Sequence, residues 1–190
     1  MNNLNRQIVV ISGPSGVGKT TICERLLRKE RRLIPCITAT TRPKRKGEAN
    51  GRDYHFITPA EFKRRIKKGD FIEYVRLFGH YYGTPYSSLE TVFSKGKYPL
   101  LRIEGKGAKR LRRAGYQGAY IFILPPNIKA LRARLAKRQT ETDKDFARRL
   151  RREQMELRSQ DQYDFKVLND NLNRAVNEIR LILRSRLYKP

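Results

Sequence analysis

The chain has 190 residues and a formal net charge of +25. Its length allows one compact domain with small inserted lobes, and a hydrophobic content of 38% excludes a disordered chain. No apolar run approaches the ~20 residues that a membrane-spanning helix needs, and we expect no signal peptide. The charge favours anionic partners, which include small phosphorylated molecules and nucleic acid.

Strand-like runs and helical stretches alternate along the chain. "QIVVIS" (7–12) predicts a buried strand, residues 18–30 predict a helix, and "IPCITATT" (34–41) predicts a second strand. After a basic loop, the predicted elements are a helix at 58–70, two strands joined by a turn within 71–84, a helix at 85–96, strands at 98–103 and 119–125 separated by a basic helix, helices at 127–137 and 143–160, a strand at 165–169 and a helix at 172–187. This alternation indicates an α/β fold whose parallel sheet is covered on both faces. The aromatic-rich stretch 42–84 breaks the alternation and predicts an inserted lobe.

A phosphate-binding motif lies between the first strand and the first helix. "GPSGVGKT" (13–20) matches G-x-x-x-x-G-K-[ST] in the strand–turn–helix context that the motif needs. Its backbone N–H groups would cradle the phosphates of a nucleoside triphosphate, Lys19 would reach the β and γ phosphates, and the Thr20 hydroxyl would hold Mg²⁺. The predicted ATP-binding residues of this turn are Gly13, Pro14, Ser15, Gly16, Val17, Gly18, Lys19, Thr20 and Thr21.

Two further basic segments suggest sites for anions. "RLAKRQTETDKDFARRL" (134–150) carries Arg134, Arg138, Arg148 and Arg149 around a polar break, which is typical of a lid over transferring phosphates. The same segment fits an ordinary solvated helix–loop–helix. "TTRPKRKGEANGRDYHF" (40–56) is a turn-rich basic loop whose anion the residues alone leave open.

The motifs together resemble the guanylate kinase family, whose members phosphorylate GMP with ATP. The resemblance is carried by "SGPSGVGKTT" (12–21), by the basic loop 40–56, by "GDFIEYVRLFGHYYGTP" (69–85) and by "IFILPP" (121–126), and it extends over essentially the whole chain. It implies a P-loop NTPase three-layer α/β fold with a parallel sheet, an inserted mixed α+β GMP-binding lobe and a helical lid. The implied single domain has its core at about 1–37, 86–133 and 161–190, its lobe at about 38–85 and its lid at about 134–160.

The resemblance also assigns roles to individual residues. The implied GMP-binding residues are Thr38, Arg42, Arg45, Tyr54, Glu73, Tyr82, Thr84 and Glu104, with Arg42, Arg45 and the two tyrosines on the phosphate. Charge neutralisation during transfer would fall to Lys19, Arg42, Arg138 and Arg149. Arg134 and Asn169 would complete the ATP site, and the implied cofactor is Mg²⁺.

The physical chemistry of these residue types agrees with the implied roles. Arginine forks bind phosphate oxygens in pairs, and phenol hydroxyls add neutral donors. One carboxylate at Glu73 can accept from both N1–H and the 2-amino group of guanine, whereas adenine would leave it unpaired. No general base is required, because a phosphate oxygen of GMP is already a nucleophile.

The sequence departs from the family pattern in "LLRIEGKGA" (100–108). The family strand usually carries an acid on each side of the isoleucine and a glutamine before the second glycine, where this chain has Arg102, Glu104 and Lys106. Arg102 puts a cation near the phosphates and inverts the local electrostatics. We expect reduced but real activity, and we expect Arg102→Glu to raise the rate.

Other interpretations remain open at this level. A P-loop kinase for a phosphorylated sugar would not need Glu73 or the Tyr81–Tyr82 pair with Thr84. A catalytically weakened binding module would not need an intact P-loop. The charge also permits non-specific, salt-sensitive nucleic-acid binding. We expect dGMP to be used as well as GMP. Because Cys23 and Cys36 match neither a metal-ligand spacing nor a disulfide framework, we expect a reducing cytoplasm.

Overall fold

The structure is a computed structural model that describes residues 6–77, 79–136 and 143–188, without the side chains of 143–149. Predicted Arg138, and the side chains of predicted Arg148 and Arg149, therefore lie outside the described residues. The strands are β1 (Ile8–Ser12), β2 (Leu33–Pro35), β3 (Ala39–Thr40), β4 (His55–Phe56), β5 (Phe71–Leu77), β6 (His80–Pro85), β7 (Tyr98–Arg102), β8 (Gly118–Leu124) and β9 (Phe165–Leu168). The α-helices are α1 (Lys19–Lys29), α2 (Pro59–Lys67), α3 (Tyr86–Phe93), α4 (Gly105–Arg113), α5 (Ile128–Ala136), α6 (Asp143–Leu157) and α7 (Leu172–Arg186), and a 3₁₀-helix covers Gln160–Gln162.

The chain divides into two compact units. The first unit comprises Met1–Ile8, Arg32–Leu101 and Lys106–Gln117, and the second comprises Val9–Arg31, Arg102–Gly105 and Gly118–Pro190. The division into core, lobe and lid stays a prediction.

The second unit is built on parallel strands. β1, β8 and β9 are neighbours in this order, and β8 and β9 run parallel with Ile121 opposite Phe165. Every residue of β1 is buried, as expected for a short β-branched run covered on both faces. Asn171 is the N-cap of helix α7, and its side chain accepts from the backbone N–H groups of Asn173 and Arg174. Its inward face buries Val176, Ile179 and Leu183 among its apolar residues, at helical spacing.

The first unit combines a parallel pair with a mixed sheet. β2 and β7 pair in parallel, and a four-stranded sheet has the order β4-β3-β6-β5 with both parallel and antiparallel neighbours. One face of this sheet packs on α2, where Phe62 stacks on Phe71 at 4.3 Å and on Tyr81 at 5.2 Å between ring centroids. The predicted α/β class, with parallel strands and a mixed second sheet, is confirmed.

The predicted single strand 34–41 is wrong. The chain leaves β2 after Pro35 and enters β3 at Ala39, so the segment contributes to two different sheets. Between them, the Cys36 N–H donates to the Leu100 carbonyl, and the Ile37 carbonyl accepts from the Ser88 hydroxyl. The apolar pattern of the segment is continuous because both sheets bury it, and only the change of partner separates the strands. Pairing with β3 also creates the short β4, which the local pattern did not predict as a separate element.

Among the described residues, no helix combines the length and the apolar character needed to cross a membrane.

Candidate nucleotide-binding sites

The P-loop turn of the second unit can be built only from glycine at two positions. Gly13 has φ 129° and Gly18 has φ 101°, in the region that side chains rarely adopt. A Cβ at Gly13 would lie 2.5 Å from the Ile123 carbonyl oxygen, and one at Gly18 would lie 2.5 Å from Asn169 Nδ2. Gly18 is also the N-cap of α1, so the turn delivers its backbone N–H groups and the positive helix end to one place.

Lys19 is held across the turn. Its Nζ donates to the Pro14 carbonyl at 2.9 Å and also to the Gly13 carbonyl. Burial lowers the pKa of Lys19, while the carboxylates of Glu104, Glu153 and Glu156 act in the opposite direction. The ammonium is thus fixed beside the loop by backbone oxygens, which is where phosphate coordination requires it.

Acidic side chains of α6 contact the same region, and the sequence interpretation missed them. The Ser15 N–H donates to Glu153 Oε2 at 2.5 Å, and the Gly105 N–H donates to Glu156 Oε1 at 2.8 Å. Glu153 is only 4% exposed, so its carboxyl group is buried against an N–H group of the phosphate-binding turn. The available signal was the spacing of Glu153 and Glu156 in "RREQMEL", which puts both on one helix face.

Glu104 lies in the second unit, where it forms an ion pair with Arg152. Burial raises the pKa of Glu104, and the neighbouring Arg152 and Lys19 counteract this effect. Its predicted contact with guanine stays a prediction.

The Thr20 hydroxyl, predicted to hold Mg²⁺, accepts a hydrogen bond from Arg102 Nη1 at 2.9 Å. A hydroxyl oxygen has two acceptor positions, and a guanidinium on one of them repels a divalent cation at the other. The described residues contain no cluster of three or more metal-ligating side chains. Because a guanidinium already donates to the Thr20 hydroxyl, the residues around that hydroxyl fit a protein-held Mg²⁺ poorly.

Two other predicted ATP-site residues meet the P-loop through one carbonyl. Asn169 Nδ2 donates to the Val17 carbonyl at 2.7 Å, and Arg134 Nη1 lies 3.5 Å from the same oxygen. Asn169 is buried, whereas Thr21 is exposed on α1. Asn169 and Arg134 therefore support the shape of the P-loop turn.

The basic loop of the first unit binds an internal anion. Arg42 reaches the carboxylate of Glu48 with both ends of its fork, at 3.0 Å from Nη1 to Oε2 and 2.8 Å from Nη2 to Oε1. The Arg45 N–H donates to the same carboxylate at 2.8 Å. These hydrogen bonds, that from Arg42 first, lower the pKa of Glu48. The Arg42 guanidinium carbon also lies 5.4 Å from the Tyr54 ring centroid, and the ring centroids of Tyr54 and Tyr82 are 6.2 Å apart.

A buried carboxylate stands on the polar face of the mixed sheet. Glu73 on β5 lies opposite Thr84 on β6, and the Thr84 hydroxyl donates to Glu73 Oε1 at 2.6 Å. Tyr82 precedes Thr84 by two residues and shares its face of the strand. Burial raises the pKa of Glu73, with Thr84 and Arg110 acting in the opposite direction. Thr38 is half-buried next to β3, and its carbonyl accepts from the His55 N–H at 2.8 Å.

These features define a class of protein. A strand, a glycine turn with a buried lysine, and a following helix make a P-loop nucleotide-binding protein of the α/β class. The guanylate kinase family model matches residues 5–186, and the chain belongs to that family.

Individual relatives agree with the family assignment. The chain is 42% identical over 187 residues to a guanylate kinase of Clostridium perfringens, covering 96% of this chain and 87% of that protein. It is 39% identical over 183 residues to a guanylate kinase of Thermotoga maritima, covering 96% of this chain and 88% of that protein. The crystal structure of guanylate kinase from Anaplasma phagocytophilum superimposes with a TM-score of 0.77 at 32% identity, over 94% of this chain and 85% of that one. The resemblance inferred from the motifs is confirmed.

Proposed function

We propose that this protein transfers the γ-phosphoryl group of ATP to GMP, forming ADP and GDP. The observation that carries the proposal is the Glu73 carboxylate, which is 4% exposed and fixed by Thr84 on the polar face of the mixed sheet. Guanine presents two adjacent donors to such a carboxylate, and adenine presents an acceptor instead of the first. A buried carboxylate that meets no hydrogen-bond donor is costly. The pocket therefore rejects adenine, which would leave the carboxylate unpaired, as much as it favours guanine through the hydrogen bonds that guanine makes.

The phosphate of GMP binds to Arg42 in place of Glu48. A carboxylate and a phosphate both offer paired oxygens to the same guanidinium fork, so the fork already has the required geometry. Tyr54 and Tyr82, which lie next to it, supply hydroxyl donors to the remaining oxygens. Arg45 and Thr38 belong to the same proposed pocket.

The triphosphate of ATP binds to the P-loop turn and Lys19. An oxygen of the GMP phosphate attacks the γ-phosphorus, and the bond from that phosphorus to the bridging oxygen of ADP breaks. Lys19 neutralises charge on the transferring group, and Arg42, Arg138 and Arg149 complete this neutralisation in the proposal. Asn169 and Arg134 hold the turn in shape. Because the residues at Thr20 fit a protein-held Mg²⁺ poorly, these steps use the side chains alone, and any Mg²⁺ is carried by the nucleotide.

The proposal extends to related properties. None of the contacts assigned to GMP involves the ribose 2′-hydroxyl, so dGMP is a second acceptor. Cytoplasmic location remains a prediction, and the described structure has both cysteines free and buried.

A coupled ADP-release assay tests the proposal. ATP and Mg²⁺ are supplied with GMP, dGMP, AMP, CMP, UMP or no acceptor, and we expect release with GMP far above that with AMP, CMP, UMP or no acceptor. A Glu73→Gln variant should lose the preference for GMP, and Glu178→Gln is its matched control for charge, because Glu178 is an exposed acid on α7. Equal background release with every acceptor, despite GMP binding, would instead indicate a binding module.

A further inference from the structure

The side chain of Arg102 is directed at a hydroxyl that P-loop proteins normally offer to a metal ion. Arg102 Nη1 donates to Thr20 Oγ1 at 2.9 Å, and Thr20 is the last residue of the P-loop motif. Both residues belong to the second unit, and Thr20 lies in the first turn of α1. A positive charge is thus held at the place where the motif predicts Mg²⁺.

The acids around Lys19 are each engaged with another donor. Glu104 pairs with Arg152, Glu153 accepts from the Ser15 N–H, and Glu156 accepts from the Gly105 N–H. Burial lowers the pKa of Lys19, and the charge of Arg102 acts in the same direction. Burial raises the pKa of Cys23 to about 12, and the charge of Arg102 opposes that rise. The charge of Arg102 thus affects two groups of α1, as expected for a guanidinium that lies close to the first turn of that helix.

We propose that Arg102 is a positioning residue that acts as a fixed cation at Thr20, so that the protein binds ATP with only weak dependence on Mg²⁺. The inference rests on the proposed ATP site. Mg²⁺ ordinarily compensates phosphate charge next to this hydroxyl, and a guanidinium with several N–H donors can compensate the same charge without a metal. The departure of this chain from the family pattern would then be a change in the source of positive charge.

Isothermal titration of ATP, without GMP, tests the inference. The dissociation constant is measured in excess Mg²⁺ and in EDTA at one ionic strength, and the ratio of the two values is the readout. In the wild-type protein we expect the two values to agree within about threefold. In Arg102→Gln we expect metal-free binding to weaken about tenfold, as for loss of a charged hydrogen-bond donor, with a smaller change in Mg²⁺. Arg102→Lys keeps the charge and should give an intermediate ratio.

A control separates this role from a general loss of positive charge. Lys109→Gln removes one charge from an exposed position of α4 and should leave the ratio unchanged. A large Mg²⁺ effect in the wild-type protein, or an equal loss with and without Mg²⁺ in Arg102→Gln, would overturn the inference. If Arg102→Gln fails to fold, the wild-type and Arg102→Lys ratios still decide the question.

The outcome is independent of the proposed acceptor. Phosphorylation of GMP together with a large Mg²⁺ effect on ATP binding would reject the role of Arg102 alone. Metal-insensitive ATP binding without transfer to GMP would reject the proposed function alone. Failure to bind ATP under both conditions would reject both.

Discussion

Thr84 donates a 2.6 Å hydrogen bond to the carboxylate of Glu73 across two neighbouring antiparallel strands. The pair lies on the sheet face opposite the aromatic core around Phe62. One carboxylate oxygen is thereby fixed, and the carboxylate keeps further acceptor positions for a ligand. The pair is consequently suited to recognise a ligand edge that presents hydrogen-bond donors.

Replacing Glu73 should change the choice of base. Glu73→Gln keeps the size of the side chain but puts an NH₂ group where an acceptor is needed. We expect kcat/KM for GMP to fall about 100-fold or more, because a guanine donor would face another donor. The ratio of GMP to AMP turnover checks this, with Thr84→Val as a milder change. An unaltered ratio would show that Glu73 does not select the base.

The same substitution should alter the pH dependence of stability. Burial raises the pKa of Glu73 above its value in the unfolded chain, so the folded protein keeps the proton to a higher pH. The free energy of unfolding therefore falls as pH rises from the unfolded pKa through the folded pKa. Glu73→Gln removes this loss, so its stability relative to wild type should increase with pH across that window and then level off. Urea unfolding of both proteins at a series of pH values measures this difference in the free energy of unfolding. A difference that stays constant with pH would contradict the prediction.

Glu48 should compete with GMP for Arg42. Both carboxylate oxygens of Glu48 are bound by the Arg42 fork, so a phosphate has to displace them. We expect Glu48→Gln to lower KM for GMP a few-fold, and Arg42→Lys to raise it about tenfold through loss of paired hydrogen bonds. Steady-state kinetics at saturating ATP give both values. Lys46→Gln, an exposed change in the same loop, should have little effect, and a rise of KM in Glu48→Gln would mean that Glu48 orders the loop.

Glu153 should oppose ATP binding. Its carboxylate is buried against the Ser15 N–H, which belongs to the turn that receives the phosphates. Glu153→Gln removes the negative charge and should tighten ATP binding about three- to tenfold, as expected for a nearby like charge. Glu156→Gln is the matched control, since Glu156 contacts the Gly105 N–H instead. Equal tightening in both variants would point to the overall charge of α6.

Gly18 should tolerate no side chain. Gly18→Ala would combine a φ of 101° with a Cβ 2.5 Å from Asn169 Nδ2, and should cost more than about 2 kcal/mol of the free energy of unfolding. Gly96→Ala is the control, because Gly96 has φ 62° and open space toward the described residues. That change should cost only about 1 kcal/mol. Similar losses in denaturant titrations of the two variants would refute the close approach to Asn169.

The sequence alone determined those features that depend on short-range pattern. The spacing of Gly13, Gly18, Lys19 and Thr20 predicted a phosphate-binding turn, because backbone shape there depends on adjacent residues. Alternating strands and helices predicted the α/β class, since each element shows its own hydrophobic period. The motif combination predicted the family, which the comparisons confirm.

Only the tertiary structure decided which side chains meet. Ser15 and Glu153 are 138 residues apart in the chain, and Thr20 and Arg102 are 82 apart, so no local pattern could pair them. Even the short separation of Arg42 and Glu48 became informative only when the loop folded the two together. The division of 34–41 between two sheets likewise depends on the partners β7, β4 and β6. The hydrophobic period of a segment indicates which residues are buried, but it carries no information on the partners against which those residues are buried.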